Sequence, residues 1–186
     1  MSDVPKINQK LSDQELVERC MANERHYQEQ LYRRYADQMY SVCLSYNSDQ
    51  DEACDILQEG FIKVFRKLEQ FKFDSSLKGW IRRIMVNTAL DHYRKQKRHE
   101  EKIESYTKVA ISPRIGNVLD QLNAQALIEL VNQLPTRAAI VLKLYAIEGY
   151  NHKEIAEKLT ISEGTSKSQL HRARTLLKQL LSKNNG

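Results

Sequence analysis

The chain has 186 residues, 41% of them hydrophobic and 28% charged, with a formal net charge of +5 and a pI near 9.0. That length allows one large domain or two small ones with modest cores. The basic balance suits a polyanionic partner, nucleic acid or an acidic membrane surface, without choosing between them.

No run approaches the ~18 apolar residues of a membrane span; Ala138–Leu142 is among the longest. The opening MSDVPKINQK has no apolar core of the kind an export signal needs, so a cytoplasmic protein without membrane insertion is expected. Cys20, Cys43 and Cys54 are an odd set without a CxxC pair. They read as reduced core or half-buried thiols rather than a disulfide frame or zinc site, with a redox role left open.

Helical periodicity starts at Ser12, a cap for a helix beginning Asp13-Gln14-Glu15 with Leu16, Val17 and Cys20 inward. A second helix, Arg25 to Tyr46, repeats Leu31, Tyr35, Met39, Val42 and Tyr46 before the polar break Asn47-Ser48-Asp49. A third, Gln50 to Leu68, places Ala53, Leu57, Phe61, Val64, Phe65 and Leu68 on one side. Asp55, Gln58, Glu59 and Lys63 lie on the other.

The loop Phe71-Lys72-Phe73-Asp74-Ser75-Ser76 leads into a fourth helix from Leu77 to about Arg98. Leu77, Ile81, Ile84, Met85 and Thr88 form its buried stripe, while Trp80, Arg83, Asn87, Arg94 and Arg98 share another. Between Phe71 and Lys102, nine Lys/Arg face four Asp/Glu. A basic helix fed by an aromatic loop suits single-stranded nucleic acid, charge for the backbone and rings for the bases. Phe71, Phe73 and Trp80 equally suit a core, and the arginine stripe a solvated face.

From His99 to Gln121 the pattern weakens through Glu100, Glu101, Lys102 and Glu104, then Ser112-Pro113-Arg114 and Gly116. This reads as an interdomain linker. A second domain starts near Leu122, with one helix to Leu134 and, past Pro135, another from Thr136 to Glu148 before Gly149.

Tyr150 to Arg174 then has the layout of a helix-turn-helix: a helix over His152–Leu159, a turn at Thr160-Ile161-Ser162, and a helix from Glu163, with Ser162 as its cap. Lys167, Ser168, His171 and Arg174 fall on one side of that helix, with Arg172 at the margin. Leu170, Ala173 and Leu177 fall on the other, facing Ile155, Ala156 and Leu159. Such donors suit phosphates and base edges, although an amphipathic hairpin with a solvated basic face has the same pattern.

The fold expected is all-α, an N-terminal helical bundle over 11–98, a linker over 99–121 and a C-terminal helix-turn-helix domain over 122–184. No metal-ligand spacing, Gly-rich phosphate loop or nucleophile constellation is present, and His26, His92, His99, His152 and His171 form no i,i+4 pair. The expectation is a protein that is not an enzyme, with no cofactor and no small-molecule substrate.

Taken in order, DILQEGFIKVFRKLEQF (Asp55–Phe71), FDSSLKGWIRRIMVNTALDHYRK (Phe73–Lys95), Leu134-Pro135, Glu148–Tyr150 and EIAEKLTISEGTSKSQLHRAR resemble bacterial RNA polymerase sigma factors of the extracytoplasmic-function type. The resemblance runs from about Leu11 to Leu181. It implies a dissociable subunit that binds core RNA polymerase, directs it to promoter DNA, and is commonly held inactive by an anti-sigma factor.

By the same resemblance, Asp55, Gln58 and Glu59 match the helix that docks on the polymerase clamp. Phe71, Lys72, Phe73, Asp74, Ser75 and Ser76 match the loop that captures a flipped base of the minus-ten element. Asn87, with Trp80, Arg83 and Arg94 on the same helix, matches the pocket and strand-melting surface. Lys167, Ser168, His171 and Arg172 match the positions facing the minus-thirty-five element.

The chain departs from the family pattern at Ser166, where valine is usual, at Gln169, where arginine is frequent, and at Ala138 and Ala139, where an aromatic and an arginine are common. Ser166 points inward and is expected to bond back to the backbone one turn earlier. Two other readings remain at this stage: a stand-alone helix-turn-helix regulator, and an all-α adaptor that touches nucleic acid nonspecifically.

Overall fold

Every regular element among the described residues of the computed structural model, 11–103 and 130–184, is helical, as the periodicity requires. The chain divides into two compact units between Asp91 and His92. Helix α1, Asp13–Met21, opens with the expected cap: Ser12 Oγ accepts from the Glu15 amide at 3.2 Å, and the Glu15 carboxylate accepts from the Ser12 amide at 3.0 Å. It ends at Asn23, whose φ of 58° is one that Asn tolerates.

Helix α2, Arg25–Tyr46, buries Leu31, Tyr35, Met39, Val42 and Cys43, while Tyr46 is only half-buried. Asp13 joins α1 to α2: its Oδ1 accepts from Tyr35 Oη at 2.8 Å and from Arg34 Nη1 at 3.0 Å. Helix α3, Gln50–Lys67, is capped by Asp49, which accepts from the Asp51 and Glu52 amides at 3.0 Å each, and it runs into a 3-10 turn at Leu68–Gln70.

Helix α4, Leu77–Ile103, buries Leu77, Ile81, Met85, Val86, Thr88, Ala89 and Leu90. It continues past Arg98, where the pattern predicts its end. The mixed charge of Glu100, Glu101 and Lys102 abolishes amphipathic periodicity, but these are good helix formers and nothing there breaks the backbone. Helices α3 and α4 meet closely at Gly60, where a β-carbon would overlap the Met85 sulfur. The expected linker beyond Ile103, and the start of the second domain from Leu122, lie outside the described residues.

In the second unit, residues 130–132 are helical, and Pro135 precedes α5, Thr136–Ala146. The helix stops two residues before the expected Glu148. The chain turns back at Gly149, with φ of 75°, so that the Glu148 and Tyr150 amides donate to the Lys143 and Leu144 carbonyls. Helices α6, His152–Leu159, and α7, Glu163–Asn184, complete the unit.

Ala138, Ala139 and Ala173 share a buried cluster with Val131 and Leu134, and Leu142, Leu176, Leu177 and Leu180 pack against it. The two alanines that stand where larger residues are common therefore form a small-residue seam between α5 and α7. Among the described residues, no helix is long and apolar enough to cross a membrane.

Candidate functional site

Three surfaces carry the residues singled out from the sequence. On α3, Asp55 and Gln58 are exposed. Glu59 is half-buried and paired: its Oε1 lies 2.8 Å from Lys63 Nζ. Lys63 in turn donates to Thr88 Oγ1 at 3.2 Å and lies 3.4 Å from Asp91 Oδ2, tying the polar face of α3 to α4. One turn beyond Gln58 and Glu59, Ile62 is 50% exposed. Sequence reasoning passed over it, although an apolar residue at i+3/i+4 from a polar face is the available signal.

The loop before α4 is organised by its aromatics. Phe71 is buried, with Phe73 edge-on at 4.8 Å between centroids and Trp80 tilted against it at 5.4 Å. Phe71 thus forms a pedestal, while Phe73 is 43% exposed on a backbone with φ of 57°. An aromatic residue held in the left-handed region is strained, and such strain persists only where surrounding contacts impose it.

Lys72, Asp74, Ser75 and Ser76 are exposed. Ser76 also starts α4, its Oγ accepting from the Gly79 amide at 3.1 Å. Trp80 and Arg94 are half-buried, and Arg83 and Asn87 are exposed along α4. The sequence groups Phe71, Phe73 and Trp80 correctly but cannot rank their exposure.

The helix-turn-helix is built as its sequence suggests, with caps at both ends of α6 and at the start of α7. Asn151 and Glu154 close a capping box on α6. At its C-terminus the Thr160 amide donates to the Glu157 carbonyl and the Ile161 amide to the Ala156 carbonyl, with Thr160 at φ of 54°. That is a Schellman ending with a β-branched residue where glycine is usual. Ser162 Oγ then accepts from the Thr165 amide at 3.0 Å, capping α7.

Lys167, Ser168, His171 and Arg172 are all exposed on α7, and Ser166, Leu170 and Ala173 are buried behind them. Lys167 lies 3.9 Å from Glu163, an exposed pair of little energetic weight. Arg174 is exposed with these donors, as periodicity groups it, and its guanidinium also lies over the Tyr145 ring, 5.6 Å from its centroid.

Ser166 departs from the expected bond to the backbone: its hydroxyl shares a hydrogen bond with His152 Nδ1 at 2.9 Å. At full burial the hydroxyl needs a partner, and the His152 imidazole on the neighbouring helix supplies it. His152 is thus a residue the sequence reading missed.

The cysteines split as well. Burial pushes the Cys20 thiol up to about 11 and the Cys43 thiol up to about 12, which keeps both protonated and poorly nucleophilic. Cys54 is exposed on α3 rather than half-buried.

A helical bundle with a polar helix face and an aromatic loop, followed by a helix-turn-helix, matches two known family models. Sigma-70 region 2 covers residues 31–99 and Sigma-70, region 4 covers residues 124–177. The class is therefore that of RNA polymerase sigma factors. A stand-alone helix-turn-helix regulator would account for only the second match.

The chain is 32% identical over 171 residues to the ECF RNA polymerase sigma factor SigM of Mycobacterium tuberculosis (strain ATCC 25618 / H37Rv), covering 91% of this chain and 85% of that relative. It is 29% identical over 181 residues to the RNA polymerase sigma-H factor of Pseudomonas aeruginosa, covering 91% and 93%. Among solved structures it is similar to the sigma factor RpoE in complex with the anti-sigma factor NepR from Bartonella quintana, with 26% identity, a TM-score of 0.50, and coverage of 83% of this chain and 96% of that one. The chain belongs to the extracytoplasmic-function family of RNA polymerase sigma factors, regulatory DNA-binding proteins that direct transcription initiation.

Proposed function

We propose that two parts of the chain divide promoter recognition, residues 11–98 docking on core polymerase and handling the minus-ten strand, and residues 122–184 reading the minus-thirty-five duplex. Residues 99–121 serve as the tether. Asp55, Gln58 and Glu59, joined by the exposed Ile62, form the polymerase-docking face of α3. Phe73 is the loop's exposed ring, held out by the buried Phe71 and by Trp80, with Lys72, Asp74, Ser75 and Ser76 around it. Extruding a base costs a few kcal/mol, which stacking on such a ring and contacts along α4 from Arg83, Asn87 and Arg94 offset.

The observation that carries the reading is on α7. Lys167, Ser168, His171 and Arg172 are exposed together, opposite the buried Ser166, Leu170 and Ala173, on the second helix of a capped helix-turn-helix. A helix so placed presents donors to the major groove while its buried side fixes its orientation.

The protein acts by binding, without catalytic residues or a cofactor of its own, and works in the cytoplasm where polymerase is. The similar RpoE chain was solved with the anti-sigma factor NepR, and an anti-sigma partner is proposed here by that likeness.

Run-off transcription with core polymerase tests the division. Gln58→Ala with Glu59→Ala is expected to weaken core binding in a pull-down while the chain still folds, with loss of the Glu59–Lys63 pair costing about 1 kcal/mol of stability. Full core affinity in that double variant removes the docking role. Arg172→Ala is expected to lose roughly 1–3 kcal/mol of discrimination at the minus-thirty-five element, and an unchanged preference removes the recognition role.

A further inference from the structure

The buried hydroxyl of Ser166 and the ring of Tyr145 belong to one run of contacts across the three helices of the second unit. From α7, the Arg174 guanidinium lies over the Tyr145 ring of α5 at 5.6 Å. That ring stacks on His152 of α6, with centroids 5.0 Å apart and planes at 25°. His152 Nδ1 then meets Ser166 Oγ of α7 at 2.9 Å, and Ser166 is 0% exposed. The run leaves α7 at Arg174 and returns to it at Ser166.

Those two attachment points flank Lys167, Ser168, His171 and Arg172. A helix can roll or slide on a seam of small side chains such as Ala138, Ala139 and Ala173, because dispersion contacts have little directional preference. A hydrogen bond to a buried hydroxyl and a cation placed over a ring face do have one. Two such contacts, about 12 Å apart along the axis at 1.5 Å per residue, restrict both roll and slide.

We infer that His152 is a positioning residue for promoter recognition: through its bond to Ser166 and its stack on Tyr145, it holds α7 in the orientation that presents Lys167, Ser168, His171 and Arg172 to DNA. His152 need not touch the duplex itself. Ser166 and His152 form a matched pair, each supplying the partner that the other's site requires. The inference rests on the reading of α7 as the minus-thirty-five reader.

The test uses the full chain with core polymerase and three variants: His152→Leu, Ser166→Val, and the two together. The wild type first selects its minus-thirty-five sequence from a randomised promoter library. Each variant is then assayed on that promoter and on one with the element scrambled. Core affinity, and transcription from a template pre-melted at minus-ten, are measured alongside.

His152→Leu is expected to reduce the ratio of selected to scrambled transcription at least about fivefold, with core affinity and transcription from the pre-melted template within about twofold of wild type. The double variant, with an apolar pair in place of the polar one, is expected to recover at least half of that loss, because replacing both partners avoids leaving a buried hydroxyl unpaired. A discrimination ratio unchanged in His152→Leu overturns the inference, even if its melting temperature falls. So does a double variant whose loss equals the product of the two single losses. Arg172→Ala is the control. If it too leaves the ratio unchanged, the reading of α7 fails; if it lowers the ratio while His152→Leu does not, only the role of His152 fails.

Discussion

The two helical units are stabilised by different kinds of interior. In the first, the fully buried large side chains include Leu16, Leu31, Met39, Ile56, Leu77, Ile81, Met85 and Leu90, and Thr88 is the buried polar residue among those described. In the second, Ile140, Leu144 and Ile155 are fully buried as well, but Ala138, Ala139, Ala156 and Ala173 share the interior with them, and the polar Lys143 and Ser166 are buried there too. Large apolar side chains bring stability in proportion to the area they remove from water. Small ones bring helices close but leave more of the orientation to polar contacts. The first unit is thus a mostly apolar platform for exposed faces, whereas the second adds the directional bonds of Lys143 and Ser166 to its apolar core.

The largest expected effect breaks the platform. Gly60→Val places branched carbons where the buried Met85 side chain lies, and overpacking there is expected to cost about 3 kcal/mol. Chemical denaturation should show the loss, and adding Met85→Ala should return part of it. An undiminished midpoint in Gly60→Val shows that α3 and α4 are not closely fitted at that point.

Next comes Lys143, which is 4% exposed and donates from Nζ to Asn132 Oδ1 at 2.8 Å. Burial pulls its pKa down from 10.5 to about 8. The native state therefore binds fewer protons than the unfolded state between those values. Its ammonium penalises folding in full below pH 8, and the penalty lifts as pH rises toward 10.5. Lys143→Met is expected to stabilise the protein at pH 7 by on the order of 2 kcal/mol, an advantage that shrinks as pH approaches the unfolded value. Melting curves of both proteins across that range check the sign, and an advantage that grows with pH contradicts it.

The smallest effect sharpens the comparison. Thr160 ends α6 with φ of 54°, in a conformation that a β-branched residue adopts only under strain. Thr160→Gly is expected to raise stability by about 0.5–1 kcal/mol, the relieved strain outweighing the added chain entropy. A lowered melting temperature means that its side chain contributes more than its backbone costs.

Much of this architecture was legible because the relevant signals are local. Ser12 with Glu15, Asp49, Ser162 and the apolar repeats of α2 and α3 mark element boundaries by rules that need only a few neighbouring residues. Glu100, Glu101 and Lys102 misled for the converse reason: amphipathic periodicity fades there while helix propensity does not.

Placement across elements was harder to see. Periodicity puts Arg174 with the exposed donors, where it lies, but does not reveal that the ring beneath it comes from Tyr145 on another helix. The same holds for Ser166, whose partner His152 lies fourteen residues earlier, and for Glu59, engaged through Lys63 with α4. Sequence spacing says which side of a helix a residue occupies; it does not say which neighbour waits there.

The division of promoter reading between the units is tested most directly by selecting promoters from one randomised library with three proteins: wild type, Phe73→Ala and Arg172→Ala. Base preferences are expected to change only in the minus-ten element for Phe73→Ala and only in the minus-thirty-five element for Arg172→Ala. If both variants alter the same element, or neither alters any, the assignment of one unit to the melted strand and the other to the upstream duplex is wrong.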